Sequence, residues 1–179
     1  MLEENMYLNN KASISYKALC LILKSICISC VMTAPALAID PNSKAPIEIE
    51  SDQATLDDKT GSSTYSGNVI ITQGLSRLEA EFITVKSAER KISSISATGS
   101  PAHFVQQTEI DDVSTHGYGN AITYRTDNGS LTFKGNARLL QAENSFSGEV
   151  IEYDVIKKAI KAKGDESIGT RVKIQYFPN

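Results

Sequence analysis

Apolar and polar residues alternate over residues 47–50 and again over 63–72, the period-two signature of strands with one dry and one wet face. Ile47 and Ile49 oppose Glu48 and Glu50, while Tyr65, Gly67, Val69 and Ile71 share one parity of the longer run. Leu56 begins a short strand between them, closed by the turn cluster DDKTG at 57–61. The pattern then returns about 67 residues later: Ala54 is answered by Ala121, Tyr65 by Phe133 and Gly67-Asn68 by Gly135-Asn136. Leu78 is echoed by Phe146, and Ile95, Ala97 and Gly99 by Ile160, Ala162 and Gly164. Such a repeat predicts two copies of one multi-strand unit, each completing the burial of the other.

The remaining segments extend this reading. Residues 78–85 place Ile83 and Val85 together, a Ser-rich turn is expected at Ser93-Ser94, and 95–99 pairs with 102–106 about Gly99-Ser100-Pro101, with Phe104 inward. The acidic stretch 109–114 reads as the hinge between copies. In the second copy Leu131, Phe133, Gly135, Ala137 and Leu139 share a parity, followed by Phe146, Ile151 and Tyr153. Residues 155–163 (VIKKAIKAK) have helical spacing, but their counterpart in the first copy is β-branched and serine-rich, so a hairpin is predicted. The last strand is 171–177, with Val172, Ile174 and Tyr176 opposite Arg171, Lys173 and Gln175. No segment carries a long amphipathic run, so the fold is all-β, of roughly a dozen or more short strands. The first and last strands each keep an open edge. A glycine recurring on a dry face leaves a notch beside an aromatic and allows a bulge or bend by which the sheet curls around a cavity, or else it simply relieves crowding in a filled core.

Residues 1–38 stand apart. Lys11 and Lys17, an apolar stretch and Ala36-Leu37-Ala38 make a secretory signal with a cleavage site, and 39–45 follows as a loose leader. Lys24 and Pro35 argue against a membrane anchor there. Setting the signal aside leaves 15 of the 18 basic and 19 of the 21 acidic residues, a balance unlike the basic face of a nucleic-acid binder. Cys20, Cys27 and Cys30 all fall inside it, so the domain at 46–178 has no disulfide, thiol nucleophile or cysteine metal site.

Catalytic chemistry is not visible in the pattern. His103 and His116 have no metal-ligand spacing, no nucleophile elbow or phosphate loop occurs, and Glu79/Glu81 and Glu152/Asp154 read as ordinary wet faces. An enzyme or glycan binder using its wet face predicts clustered acidic, histidine or aromatic residues there, and none is evident. No cofactor is expected.

The stretch IEIESDQATLD at 47–57, with YSGNVIITQG at 65–74 and FKGNA at 133–137, resembles the LptA (OstA-like) family of periplasmic lipopolysaccharide-transport proteins. That resemblance spans 46–178 and implies an open, twisted antiparallel β-jellyroll whose interior holds the lipid A acyl chains. It implies a non-enzymatic bridge across the periplasm, joined end to end, with an inner-membrane LptC-like subunit and an outer-membrane LptD-like protein as partners. The lipid would be pushed along it by a cytoplasmic ATPase. Under that reading Ile47, Ile49, Leu56, Tyr65, Val69, Ile71, Ile83, Val85, Phe104, Leu131, Phe133, Leu139, Phe146, Ile151 and Tyr153 line the groove, widened by Gly67 and Gly135. Edge assembly falls to Ile47, Glu48, Ile49 and Glu50 at one end and Val172, Lys173, Ile174, Gln175 and Tyr176 at the other, by β-augmentation. The rival readings are a membrane-anchored LptC-like subunit, keeping 18–38 as its anchor, and a structural β-repeat protein with a filled core.

Overall fold

The computed structural model describes residues 45–89, 91–107 and 114–178. The export segment, the leader apart from Ala45 and the hinge apart from Ser114 lie outside the described residues.

Among the described residues ten strands form one antiparallel sheet: β1 (Ile47–Glu50), β2 (Gln53–Asp57), β3 (Ser62–Gln73), β4 (Ser76–Ala88), β5 (Lys91–Gln106), β6 (Thr115–Arg125), β7 (Ser130–Gln141), β8 (Asn144–Asp154), β9 (Ala159–Lys163) and β10 (Lys173–Gln175). The strands are fewer and longer than the pattern suggested, because bulges carry them through positions that read as breaks. Residues 95–99 and 102–106 are thus not partners of each other; both belong to β5 and pair with β4 on one side and β6 on the other. β5 starts at Lys91, so the preceding turn falls before Ser93-Ser94, and β10 is shorter than the 171–177 run. The hairpin at 155–163 does form, with β9 on β8 and a turn capped by Asp154 Oδ1, which accepts from the Ile156 and Lys157 amides at 3.1 and 2.8 Å.

Each long outer strand is flanked by two short ones laid end to end: β3 by β1 and β2, β8 by β10 and β9. The register explains this. Tyr65 pairs with Ala54 and its counterpart Phe133 pairs with Ile122, so Ile122, and not Ala121, is the structural equivalent of Ala54. On that alignment β1 and β2 together match the unbroken β6, and β9 and β10 together match the unbroken β5. Each copy therefore has four strand positions, three of them unbroken and the fourth, at the edge of the sheet, split in two.

The bulges line up. Register shifts at Ser66/Val69, Glu79/Phe82, Thr98/Ala102, Tyr118/Ala121 and Lys134/Ala137 bring every long ladder onto a single transverse line along which the sheet bends, while β4–β5 has a further shift at Lys86/Ser87 near its end. Gly67 and Asn68 have φ of 77° and 46°, and Gly135 and Asn136 76° and 52°, left-handed pairs that only Gly and Asn adopt readily. This corrects the notch expectation. A Cβ on Gly67 would lie 2.8 Å from Asp52 Cβ, and one on Gly135 2.8 Å from Asn120 Nδ2, so these glycines make the bend and leave no groove space.

Bending folds the inner face on itself. Residues from opposite ends of the strands, Ile71 and Leu78 from one half and Ile95, Tyr124 and Leu131 from the other, line one small cavity. The core between the halves includes Ile83, Phe104, Leu131, Phe133, Leu139 and Ile151, all at 0% exposure. Phe104 and Phe133 meet with ring centroids 6.4 Å apart, and Phe133 nests against Gly117, where a Cβ would overlap its ring.

Candidate functional site

The interior between the two halves collects most of the residues expected to line a groove. Val69, Ile71, Ile83, Val85, Phe104, Leu131, Phe133, Leu139, Ile151 and Tyr153 are buried in one cluster, with Ile49, Tyr65 and Phe146 packed partly buried against it. Alternation brings them to one face, and the cross-strand register joins them into rows, such as Ile49–Ile71–Leu78–Phe104.

Two of the expected residues stand elsewhere. Ile47 is 37% exposed at the rim of the small cavity. Leu56 shares the inward parity of Ser63 and Val85 but is 65% exposed, because β2 is an edge strand with no neighbour beyond it among the described residues. The interior also contains Leu78, Ile95, Ala97, Ile122, Tyr124 and Val155, which the groove reading omitted. Ile122 and Tyr124 alternate visibly in AITYR, so the signal for them was present.

The interior asks for no polar ligand. Among the described residues no buried side-chain nitrogen or oxygen lacks a hydrogen-bond partner. Burial pushes the Tyr153 phenol up, a consequence of the apolar surroundings that outweighs its bond to Gln141. The cavity between the halves is only about 30 Å³, room for little more than one water. A long apolar ligand therefore enters only if the halves separate, and no strand among the described residues joins the β1/β2 edge to the β9/β10 edge to prevent it.

Both edges carry exposed apolar side chains. Ile174 is 62% and Tyr176 67% exposed, and Val172 and Phe177 are also exposed, the Phe177 amide donating to Asn144 Oδ1 at 3.0 Å. Of the edge candidates, Lys173, Ile174 and Gln175 lie in β10, paired with 145–147 of β8 and unpaired on the other side among the described residues. Ile47, Glu48, Ile49 and Glu50 form β1 on 70–73 of β3. Edge strands with free main-chain groups accept a further strand.

The wet face is more organised than its sequence suggested. Across the β5–β6 hairpin His103 pairs with Tyr118 and Val105 with His116, which sets the two imidazoles 3.2 Å apart, His103 Nε2 to His116 Nδ1. Among the described residues no group of three metal-ligating side chains is present.

The sequence profile described as "LptA/(LptD N-terminal domain) LPS transport protein" matches residues 48–159. The chain is 33% identical over 128 residues to the lipopolysaccharide export system protein LptH of Pseudomonas aeruginosa, covering 71% of this chain and 73% of that one. It is 31% identical over 147 residues to the lipopolysaccharide export system protein LptA of Escherichia coli, covering 81% and 78%. The crystal structure of LptH, described as the LptA-homologous periplasmic component of a lipopolysaccharide transport device, superposes with a TM-score of 0.70 at 28% identity, covering 77% of this chain and 99% of that one. By profile, sequence and fold, an open antiparallel β-jellyroll, the chain belongs to the LptA family of lipopolysaccharide export proteins.

Proposed function

We propose that this protein carries lipopolysaccharide through the periplasm, sheltering the lipid A acyl chains between the halves of its bent sheet and catalysing no reaction. The observation that carries this is the continuous apolar interior, in which among the described residues no buried side-chain nitrogen or oxygen lacks a partner and no strand closes the sheet. Each buried CH₂ of an acyl chain contributes about 0.8 kcal/mol. Several chains together supply enough to offset separating Phe104, Phe133 and Leu139 from their partners across the core.

The protein bridges the two membranes by adding strands at its edges. One edge, β1 with β2, and the other, β10 with β9, receive a second copy end to end, an inner-membrane LptC-like subunit or an outer-membrane LptD-like protein. Support comes from the exposed Ile174 and Tyr176 and from the unclosed edges. The chain has no cysteine after Cys30, so cysteines introduced at Glu50 and Lys173 report such pairing by disulfide capture between copies. Capture at neither position in the exporting cell removes the edge assignment.

The near-filled interior favours one other reading, a structural β-repeat subunit without ligand. A photo-crosslinking amino acid at Phe133 or the half-buried Tyr65, with exposed Lys134 as control, separates the two. Lipid captured at the inner positions and not at Lys134 is expected. Capture at none of them, in exported and folded protein, favours the structural subunit.

A further inference from the structure

We propose that the outer face carries a second, polar binding site, for a saccharide bearing a phosphate or a carboxylate. The site is a groove of about 750 Å³ over the bulge line of β5, β6 and β7, bordered by Ser100, Tyr118, Asn120, Asn136, Arg138 and Leu140. That volume is in the range of small-molecule sites. It lies on the opposite face of the sheet from the lipid-type interior and does not rest on that reading.

One wall is a held aromatic platform. His103 covers one face of the Tyr118 ring at a centroid distance of 4.3 Å and 3° from parallel. His103 is in turn held by His116 at 3.2 Å, whose Nε2 lies 2.8 Å from Ser114 Oγ, and by Glu79 at 3.6 Å. Glu79 is anchored by Arg77 at 2.6 Å. This chain across β4, β5 and β6 fixes the orientation of Tyr118, so a ligand stacking on it orders little else. Tyr118 lines the groove and His103 does not.

Beside the platform stands a charge. Arg138 is the cross-strand neighbour of Tyr118 on β7, is exposed, and its side chain has no hydrogen-bond or ion-pair partner among the described residues. Among the described residues no carboxylate lines the groove, and Glu79 is already engaged by Arg77, so Arg138 is the charge that a ligand meets there. A guanidinium presents a planar fork matched to phosphate or carboxylate. The Asn120 and Asn136 amides each offer two donors and an acceptor, the complement of vicinal hydroxyls. Aromatic platform, amides and free guanidinium together suit an acidic sugar better than a bare anion or an apolar molecule.

The test is NMR titration of the purified protein with glucose 6-phosphate, glucuronate, glucose and inorganic phosphate. The expected result is perturbation of the Ser100, Asn120, Asn136 and Arg138 amide signals by both acidic sugars, with glucose and inorganic phosphate each at least about tenfold weaker. Arg138→Gln abolishes the preference for acidic over neutral sugar. Asn120→Ala weakens both, giving a second readout that leaves the platform intact. Equal binding of inorganic phosphate, an unchanged preference in Arg138→Gln, or no perturbation in the groove overturns the proposal.

Discussion

Gly117→Ala tests the bend of the sheet directly. Gly117 pairs with Leu139 in one half, yet its nearest neighbour is the Phe133 ring, whose backbone lies beyond the bulge in the other half. An alanine Cβ overlaps the outer ring atoms and still lies only 3.1 Å from Cδ1. The ring has nowhere to go, since Phe133 is 0% exposed and abuts Phe104. Forcing a methyl into a close-packed core costs about 1–3 kcal/mol, outweighing the usual gain of roughly 0.5–1 kcal/mol when Ala replaces Gly in a strand. In a domain of this size that lowers the melting temperature by about 3–12 °C. Thermal and urea unfolding measure it, and a double-mutant cycle assigns the cause. Phe133→Leu removes the overlapping ring atoms, so the Gly117→Ala penalty is expected to shrink by at least about 0.5 kcal/mol in that background. Wild-type or higher stability for Gly117→Ala, or strict additivity in the cycle, refutes the packing of one half on the other.

Leu139→Ala and Leu56→Ser separate core from edge: the first, at 0% exposure, is expected to lose about 2–5 kcal/mol, and the second, at 65%, to stay within about 0.5 kcal/mol by urea titration. Gly135→Ala, at φ 76° with Asn120 in the way, should cost more than about 1 kcal/mol, while Asn136→Gly at φ 52° should cost little or stabilise. Burial holds the His103 imidazole below its ordinary 6.5, against the opposing pull of Glu79. The unfolded chain therefore takes up that proton first, so stability is full above pH 6.5 and falls as the pH drops towards the lowered His103 value. Glu79, held below 4.5 chiefly by its bond to Arg77, acts only at more acidic pH. His103→Gln should flatten the profile just below pH 6.5, and an identical slope in wild type and variant would sink this assignment.

The repeat, the all-β class, the inward parity and most of the core were written in the sequence, because each depends on local alternation and on copying. Tyr65, Val69 and Ile71 announce a dry face by spacing alone, and Phe133 and Leu139 repeat it. The hairpin at 155–163 was legible only through its counterpart, since its local spacing favours a helix. What spacing does not contain is partnership. Whether Ala54 answers Ala121 or Ile122 is decided by which residue faces Phe133 across the sheet, and whether Leu56 is buried depends on a neighbouring strand that β2 lacks. Gly67 and Gly135 suggested both a bend and a notch, because a strand pattern assigns every residue a face; the aligned bulges bear out the bend, and the close approach of Asp52 and Asn120 removes the notch. His103 and His116 lie thirteen positions apart and meet because a hairpin register places them in adjacent rows. Alternation is set residue by residue, whereas register, bending and edge position are set by long-range pairing, and the interior and the outer groove both arise from that pairing.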